Sequence, residues 1–153
     1  MEKFNRILVV SRLTTHCKLA IDYGITLAKK FQASLTVIHT VHSPFGLEGW
    51  DLPLLEQDYS ALRAKSKADI DSAIQSEQSQ GLYIKEIIRE GDPVTTVVDI
   101  VKMEQIDLLI MLTHEQGHLE HFLFGRCNDA LVRRMPCSIL LVKKEPAVFG
   151  EVD

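Results

Sequence analysis

The sequence lacks several features that would place it in a specialised class of protein. It has only three cysteines and no C-x-x-C spacing, so it indicates neither a disulfide framework nor a thiolate metal site. No apolar stretch approaches the roughly 20 residues of a membrane span. The apolar run near the start, ILVV, is too short for a signal peptide. We therefore expect a cytoplasmic protein with reduced cysteines.

Excess positive charge and several catalytic motifs are also missing. The net charge is −4 at pH 7, which argues against broad binding to nucleic acid or anionic membranes, since both need a basic surface. The sequence has no G-x-S-x-G elbow and no G-x-G-x-x-G after its first apolar run, so neither that type of hydrolase nor a dinucleotide-binding fold is indicated. The length of 153 residues, without internal repeats, predicts one domain over residues 1–145 and a short tail over residues 146–153.

Five short apolar runs predict β-strands. They are Arg6–Ser11, Ser34–Thr40, Tyr83–Ile88, Asp107–Leu112 and Cys137–Val142. Four of them are nearly continuous rather than alternating, which is typical of strands buried on both faces of a parallel sheet. The third run, YIKEII, mixes polar and apolar residues and predicts an edge strand.

Helical patterns separate these runs. Apolar residues recur at helical spacing over Thr15–Phe31, more sparsely over Leu54–Gln80, from Pro93 onward, and over about His121–Arg134. Asp92 suits the N-cap of the third helix and Pro93 its first position. The alternation predicts an α/β, Rossmann-like fold, a single-domain parallel sheet with helices on both faces. Ligands in such folds bind at the carboxyl ends of strands, where the strand order reverses.

Several segments, in this order and spacing, resemble the universal stress protein (UspA-like) family. The segments are RILVVS, LAKKF, SLTVIHTV, EGDP, DLLIM, the glycine at 125 and RMPC followed by SILLV. The resemblance covers nearly the whole chain. It implies a five-stranded parallel sheet in the order 3-2-1-4-5, a homodimer formed through the last strand, Cys137–Lys144, and, in one branch of the family, binding of ATP or AMP.

The nucleotide-binding branch carries an acidic residue after strand one and a G-x2-G-x9-G-[ST] loop after strand four. Glycines there let backbone N–H groups approach phosphates closely. In this sequence only Gly125 matches. Leu112 and Glu115 replace the two earlier glycines, Arg126 replaces the Ser or Thr, and Arg12 replaces the acid. The resemblance therefore predicts a degenerate motif that does not bind ATP in the usual way.

Two interpretations of these substitutions stay open. The site has lost its ligand, or Arg12 and Arg126 form a new anion site, because guanidinium groups suit phosphate and carboxylate. The same arginines could instead pair with acids and close the site. The candidate ligand residues in the loops after strands one and four, and in strand two, are Val10, Ser11, Arg12, Thr40, Met111, Thr113, His114, Gly125 and Arg126. We expect no catalytic residue and no firmly bound cofactor, but a regulatory protein that works through a protein partner.

A histidine cluster suggests a third function. His114 to His118 spells H-E-x-x-H, the zincin motif in which two histidines on one helix face bind zinc and the glutamate activates water. His121 could add a third ligand. Here the motif directly follows a predicted buried strand, and Gly117 interrupts any helix. We therefore expect a polar, histidine-rich loop, with a metal-dependent hydrolase built on His114, Glu115 and His118 as a remote alternative.

Three further expectations concern single features. His39 lies in a buried type of strand and is predicted to be a core histidine with satisfied hydrogen bonds rather than a base. Cys17 and Cys127 fall on inward helical positions and are expected in the core. The segment His42–Pro53, which holds the only tryptophan, is expected to be a mobile loop.

Overall fold

The computed structural model of the chain describes residues 3–11, 17–41, 53–112 and 129–143. Its elements are β1 (Arg6–Ser11), α1 (Cys17–Phe31), β2 (Ser34–Val41), α2 (Pro53–Ser79), β3 (Ile84–Glu90), α3 (Pro93–Met103), β4 (Leu108–Leu112) and β5 (Ser138–Val142), and residues 129–134 are also helical. The five predicted strands are confirmed, with ends that shift by at most 2 residues. Most of the predicted mobile loop and the whole predicted tail lie outside the described residues.

The strands of the described residues form one sheet in the order β3-β2-β1-β4-β5. All four pairs of neighbouring strands are parallel. The predicted α/β fold and strand order are therefore confirmed. Because the chain runs outward from β1 to β3 and then returns to the other side of β1, the strand order reverses between β1 and β4. This is the place where ligands bind in such sheets.

The inner strands are buried on both faces because helices cover both. β4 is buried along its whole length, and β1 is buried from Ile7 onward. Alternate residues enter two separate clusters: Ile7 and Val9 pack with α1 and α2, whereas Leu8 and Val10 pack with α3 and Leu131. A strand placed between two helical layers needs an apolar side chain at every position, which explains the continuous runs.

The two outer strands differ from the inner ones. β3 is an edge strand, as its mixed sequence predicts, and most of its residues are exposed or half-buried. The expectation of two-sided burial is wrong for β5, in which only Val142 is buried. The reason is its position, since β5 is the outer strand of the described sheet. An apolar composition alone does not distinguish an inner strand from an uncovered edge.

The helices begin and end where local chemistry indicates. The Asp92 carboxylate accepts hydrogen bonds from the backbone N–H of Thr95, at 3.0 Å, and from its hydroxyl, at 2.5 Å, so this residue is the N-cap of α3. After α2, Gly81 has a φ of 96°, and the N–H of Leu82 donates to the carbonyl of Glu77 at 3.2 Å. A glycine in this left-handed conformation commonly ends a helix.

The helix α2 is the most polar of the described helices. Among its described side chains, only Ile70 and Ile74 are fully buried, and both pack in the cluster on the α1 side of the sheet. Cys17 is buried as predicted and Cys137 is half-buried, whereas Cys127 lies outside the described residues. No helix within the described ranges is long and apolar enough to cross a lipid bilayer.

Candidate functional site

The carboxyl ends of β1, β2 and β4 meet at one edge of the sheet, and four predicted ligand residues lie there. Val10 and Ser11 end β1, Thr40 lies near the end of β2 and Met111 near the end of β4. Ser11 is in register with the residue before Thr40, and the Thr40 hydroxyl lies 3.5 Å from the Ser11 carbonyl oxygen, to which it donates. The fold therefore brings these four residues together.

All four of these residues are buried within the sheet. Their relative exposures are 4% for Val10, 0% for Ser11, 5% for Thr40 and 1% for Met111. Because these side chains are buried, any ligand at this edge would need most of its direct contacts from other residues. The loop residues that the sequence predicts, which are Arg12, Thr113, His114, Gly125 and Arg126, lie outside the described residues. Their contribution to a site stays a prediction.

Leu112 ends β4 at the position where the first glycine of a phosphate-binding loop is expected. Its side chain is 9% exposed and belongs to the same apolar cluster as Ile7 and Val9. Leu112 is also in register with Val142 of β5. This position is therefore part of a paired strand and of the core, rather than an open glycine turn.

A polar network around one buried histidine lies near the same edge, on the α1 side of the sheet. We call it the His39 network, and it consists of His39 on β2, Glu86 on β3, and Lys67 and Asp71 on α2. The Nε2 atom of His39 lies 2.9 Å from Oε2 of Glu86, and Nζ of Lys67 lies 3.3 Å from the same oxygen. Lys67 also pairs with the Asp71 carboxylate one helical turn away.

The prediction that His39 is a satisfied core histidine is only half right. The side chain is fully buried and its Nε2 atom is hydrogen-bonded, but its Nδ1 atom has no partner among the described residues. The sequence spacing of Lys67 and Asp71, four residues apart, was the available signal for this part of the network. Nothing in the sequence indicated that Lys67 and His39 would share one oxygen of Glu86.

Burial controls the protonation of this histidine. Desolvation lowers the pKa of His39 below its ordinary value of 6.5, and the positive charge of Lys67 acts in the same direction, whereas the hydrogen bond to Glu86 opposes the change. For Lys67, burial acts to lower the pKa, but the hydrogen bond to Asp71 and the charge of Glu86 outweigh it, so its pKa is raised. At neutral pH the network therefore contains a neutral imidazole beside a charged ammonium and two carboxylates.

Within the described ranges, no three His, Cys, Asp or Glu side chains are grouped to hold a metal ion. The histidines that form the predicted cluster, which are His114, His118 and His121, lie outside those ranges. The metal hypothesis therefore stays a prediction from sequence.

The strands are parallel, their order reverses beside β1, and helices cover both faces of the sheet. These features define a doubly wound, Rossmann-like α/β domain. The sequence model of the universal stress protein family matches residues 3–143 of this chain, and the chain therefore belongs to this family. It is similar to the universal stress protein MJ0531 of Methanocaldococcus jannaschii, with 31% identity over 133 residues that cover 82% of this chain and 74% of the relative.

Solved structures of the family share the fold. The MJ0577 protein of Methanocaldococcus jannaschii superposes with a TM-score of 0.69 at 18% identity, over 95% of this chain and 100% of that chain. A universal stress protein family protein of Arabidopsis thaliana, solved with AMP bound, superposes with a TM-score of 0.60 at 14% identity, over 92% of each chain. At these identities the likeness shows the fold alone.

Proposed function

We propose that this protein is a non-enzymatic stress-response regulator that acts in the cytoplasm as a homodimer and does not bind ATP in the manner usual for its family. The observation that carries the proposal is the place of Leu112, at the end of β4, where a phosphate-binding loop needs a glycine. A phosphate group approaches backbone N–H groups closely only where no Cβ intervenes. The Leu112 side chain is instead buried in the core.

Charge supports the same conclusion. The second glycine of the motif is replaced by Glu115, and a carboxylate at about 4 Å from a phosphate oxygen costs on the order of 1 kcal/mol in water and more in a buried site. The acid expected after β1 is replaced by Arg12. A chain that keeps the family fold while losing these groups is expected to act through a protein partner rather than through nucleotide chemistry.

The outer strand β5 supports the homodimer. Leu141 is 46% exposed, Ile139 and Leu140 are half-buried, and the outer edge of the strand is uncovered by other described strands. An apolar edge with unpaired backbone groups invites pairing with another chain. Symmetric pairing of two copies along Cys137–Lys144 would produce a twofold dimer and cover this edge.

A second candidate function is a sensor of nucleotides or other anions with a remodelled site. It is favoured by the assembled edge, where Ser11 and Thr40 lie together at the reversal point of the sheet. The Arabidopsis thaliana protein of the same fold, which was solved with AMP bound, supports this candidate. In this chain Arg12 and Arg126 would replace the glycine loop as the groups that bind phosphate.

Calorimetric titration with ATP, AMP and inorganic phosphate distinguishes the two candidates. We expect no measurable heat of binding from ATP and no phosphate release from it. Restoring the glycine loop in the triple variant L112G/E115G/R126S should introduce ATP binding, with E115G alone as the matched control that leaves Leu112 in place. Submicromolar binding of ATP to the unaltered protein would contradict the proposal. Binding that is lost in R12A/R126A would instead support the anion sensor.

A further inference from the structure

The described part of α2 is held to the sheet by few contacts. Two isoleucines, Ile70 and Ile74, are its fully buried described side chains. Near its end, Glu77 pairs with Lys29 of α1 at 2.5 Å, and the Gln78 amide donates to the carbonyl oxygen of Ile84 at 3.0 Å. Further towards the start of α2, Lys67 of the His39 network reaches Glu86 on β3, and Asp71 holds Lys67 from the same helix.

The His39 network joins three elements through one carboxylate oxygen. Oε2 of Glu86, on the edge strand β3, is shared by the imidazole of His39 on β2 and the ammonium of Lys67 on α2. This bond assigns the proton of a neutral imidazole to Nε2, since the carboxylate can only accept. The Nδ1 atom is then a buried lone pair that has no donor among the described residues.

We call the arrangement in which α2 packs against the sheet closed, and the one in which it has moved away open. A proton on Nδ1 would be costly in the closed arrangement. It would create a buried cation and a buried N–H donor for which the described residues offer no acceptor, and both are unfavourable away from water. If α2 moves away, water reaches the imidazole and satisfies the same proton. The closed arrangement therefore prefers the neutral imidazole, and the open arrangement accepts the charged one.

We propose that the His39 network is an acid-sensitive latch, in which protonation of His39 releases α2 from the sheet. At neutral pH the neutral imidazole, the Glu86 carboxylate and the Lys67 ammonium hold α2 in place. Acidification favours the state in which α2 is open and His39 is hydrated and charged. We expect the loosening to be confined to the α1 side of the sheet, because α3 packs on the opposite face in a separate cluster.

The charged groups around His39 act in both directions: Lys67 disfavours its protonation, Glu86 and Asp71 favour it, and burial outweighs them. Among the described residues, those that influence it are Glu86 from β3 and Lys67 and Asp71 from α2. β1 contributes Ser11, its uncharged register neighbour, and α1 contributes the thiol of Cys17 to the buried cluster on this side. The lowered pKa of His39 means that the folded form binds its proton less readily than a hydrated imidazole does. Stability of the closed form is therefore fully present above the ordinary pKa of 6.5 and falls as the pH drops below it.

Amide hydrogen exchange measured by mass spectrometry tests the latch on the whole chain. After correction for intrinsic exchange rates, protection of α2 should fall between about pH 7.5 and about pH 5.5, a window that spans the ordinary imidazole pKa and in which ordinary carboxylates stay ionised. The fall should be up to about tenfold per pH unit, the limit for uptake of one proton. Protection of α3 should stay constant and acts as the internal control.

The matched variant is H39Q, whose amide can still donate to Glu86 but does not titrate in this window. In H39Q, protection of α2 should not change with pH. The proposal is overturned if α2 loses protection equally in H39Q, if the natural protein shows no pH dependence, or if α3 loses protection in parallel with α2.

A second measurement keeps the proposal falsifiable if H39Q does not fold. Nuclear magnetic resonance titration of the His39 ring in the natural protein should place its pKa below 6.5, and E86Q should lower that pKa further, because the Glu86 carboxylate raises it. A ring pKa at or above 6.5 in the folded protein, with α2 still protected, would overturn the latch.

Discussion

Gly24 is the residue at which α1 lies against the sheet without a side chain. A Cβ atom at this position would lie 2.5 Å from Cγ2 of Val9 and 3.2 Å from Cδ1 of Leu35. The first of these distances is too short for two carbon atoms, and the β-branched Val9 is stiff about its first side-chain torsion. The glycine therefore sets how closely α1 packs on β1 and β2.

We predict that G24A destabilises the protein although alanine is the better helix former. The helix propensity gain is about 1 kcal/mol, whereas overpacking a tight core costs about 1–3 kcal/mol. The expected result is a net loss of about 1 kcal/mol in the free energy of unfolding, measured by urea denaturation. In the V9A background, which makes room for the new methyl group, the same change should cost less or become stabilising. Equal costs in both backgrounds would show that the contact with Val9 is not the cause.

At the scale of the element, the start of α3 shows how one side chain defines a helix boundary. Asp92 has an extended backbone, with φ −68° and ψ 114°, and its carboxylate accepts from Thr95. Pro93 follows at the first helical position, where its missing N–H is not needed. The hydrogen bonds from the Thr95 hydroxyl and backbone N–H lower the pKa of Asp92 below 3.8.

We predict that D92A lowers the free energy of unfolding by about 1 kcal/mol at neutral pH, the usual effect of losing an N-cap. Because the folded-state pKa is lowered, the stabilisation by the charged cap is present above 3.8 and is lost as the pH falls through the folded-state value. The difference between the natural protein and D92A should therefore shrink in acid, as followed by urea denaturation. The control is D92N, which can cap the helix without titrating, and its difference from D92A should stay constant with pH. A difference between the natural protein and D92A that does not change with pH would contradict the role of the charge.

At the scale of the whole molecule, the sheet has two outer strands with different surfaces. β3 carries charged residues along most of its length, such as Lys85 and Arg89, whereas β5 is apolar. Charged side chains on an edge strand discourage pairing with another chain, and an apolar edge favours it. The difference directs the expected dimerisation to β5.

We predict that the protein is a dimer at micromolar concentration and that L141E makes it a monomer, because a buried carboxylate at the interface has no partner. Leu141 is 46% exposed in the single chain. The matched control is I88E on β3, where Ile88 is 55% exposed, and this variant should stay dimeric. Light scattering coupled to size-exclusion chromatography measures the molar mass of the natural protein and of both variants. A monomeric natural protein, or equal dissociation of both variants, would contradict dimerisation through β5.

The sequence by itself determined the elements and their order, because each depends on neighbours only a few positions away. The continuous runs at β1 and β4 and the Asp92–Pro93 pair are local patterns of this kind. The loss of the family glycine at Leu112 was also visible, since a motif needs only identity and spacing. The family resemblance supplied the strand order, which local periodicity does not contain.

Only the tertiary structure decided which distant residues meet. His39 and Glu86 are 47 positions apart, and Lys67 and Glu86 are 19 apart, yet one oxygen joins all three. The exposure of β5 and the contact of Gly24 with Val9 depend in the same way on which elements become neighbours. The physical reason is that hydrophobic burial is nearly non-directional. A local pattern therefore states that a side chain is buried, but packing of the whole chain selects the atoms that surround it.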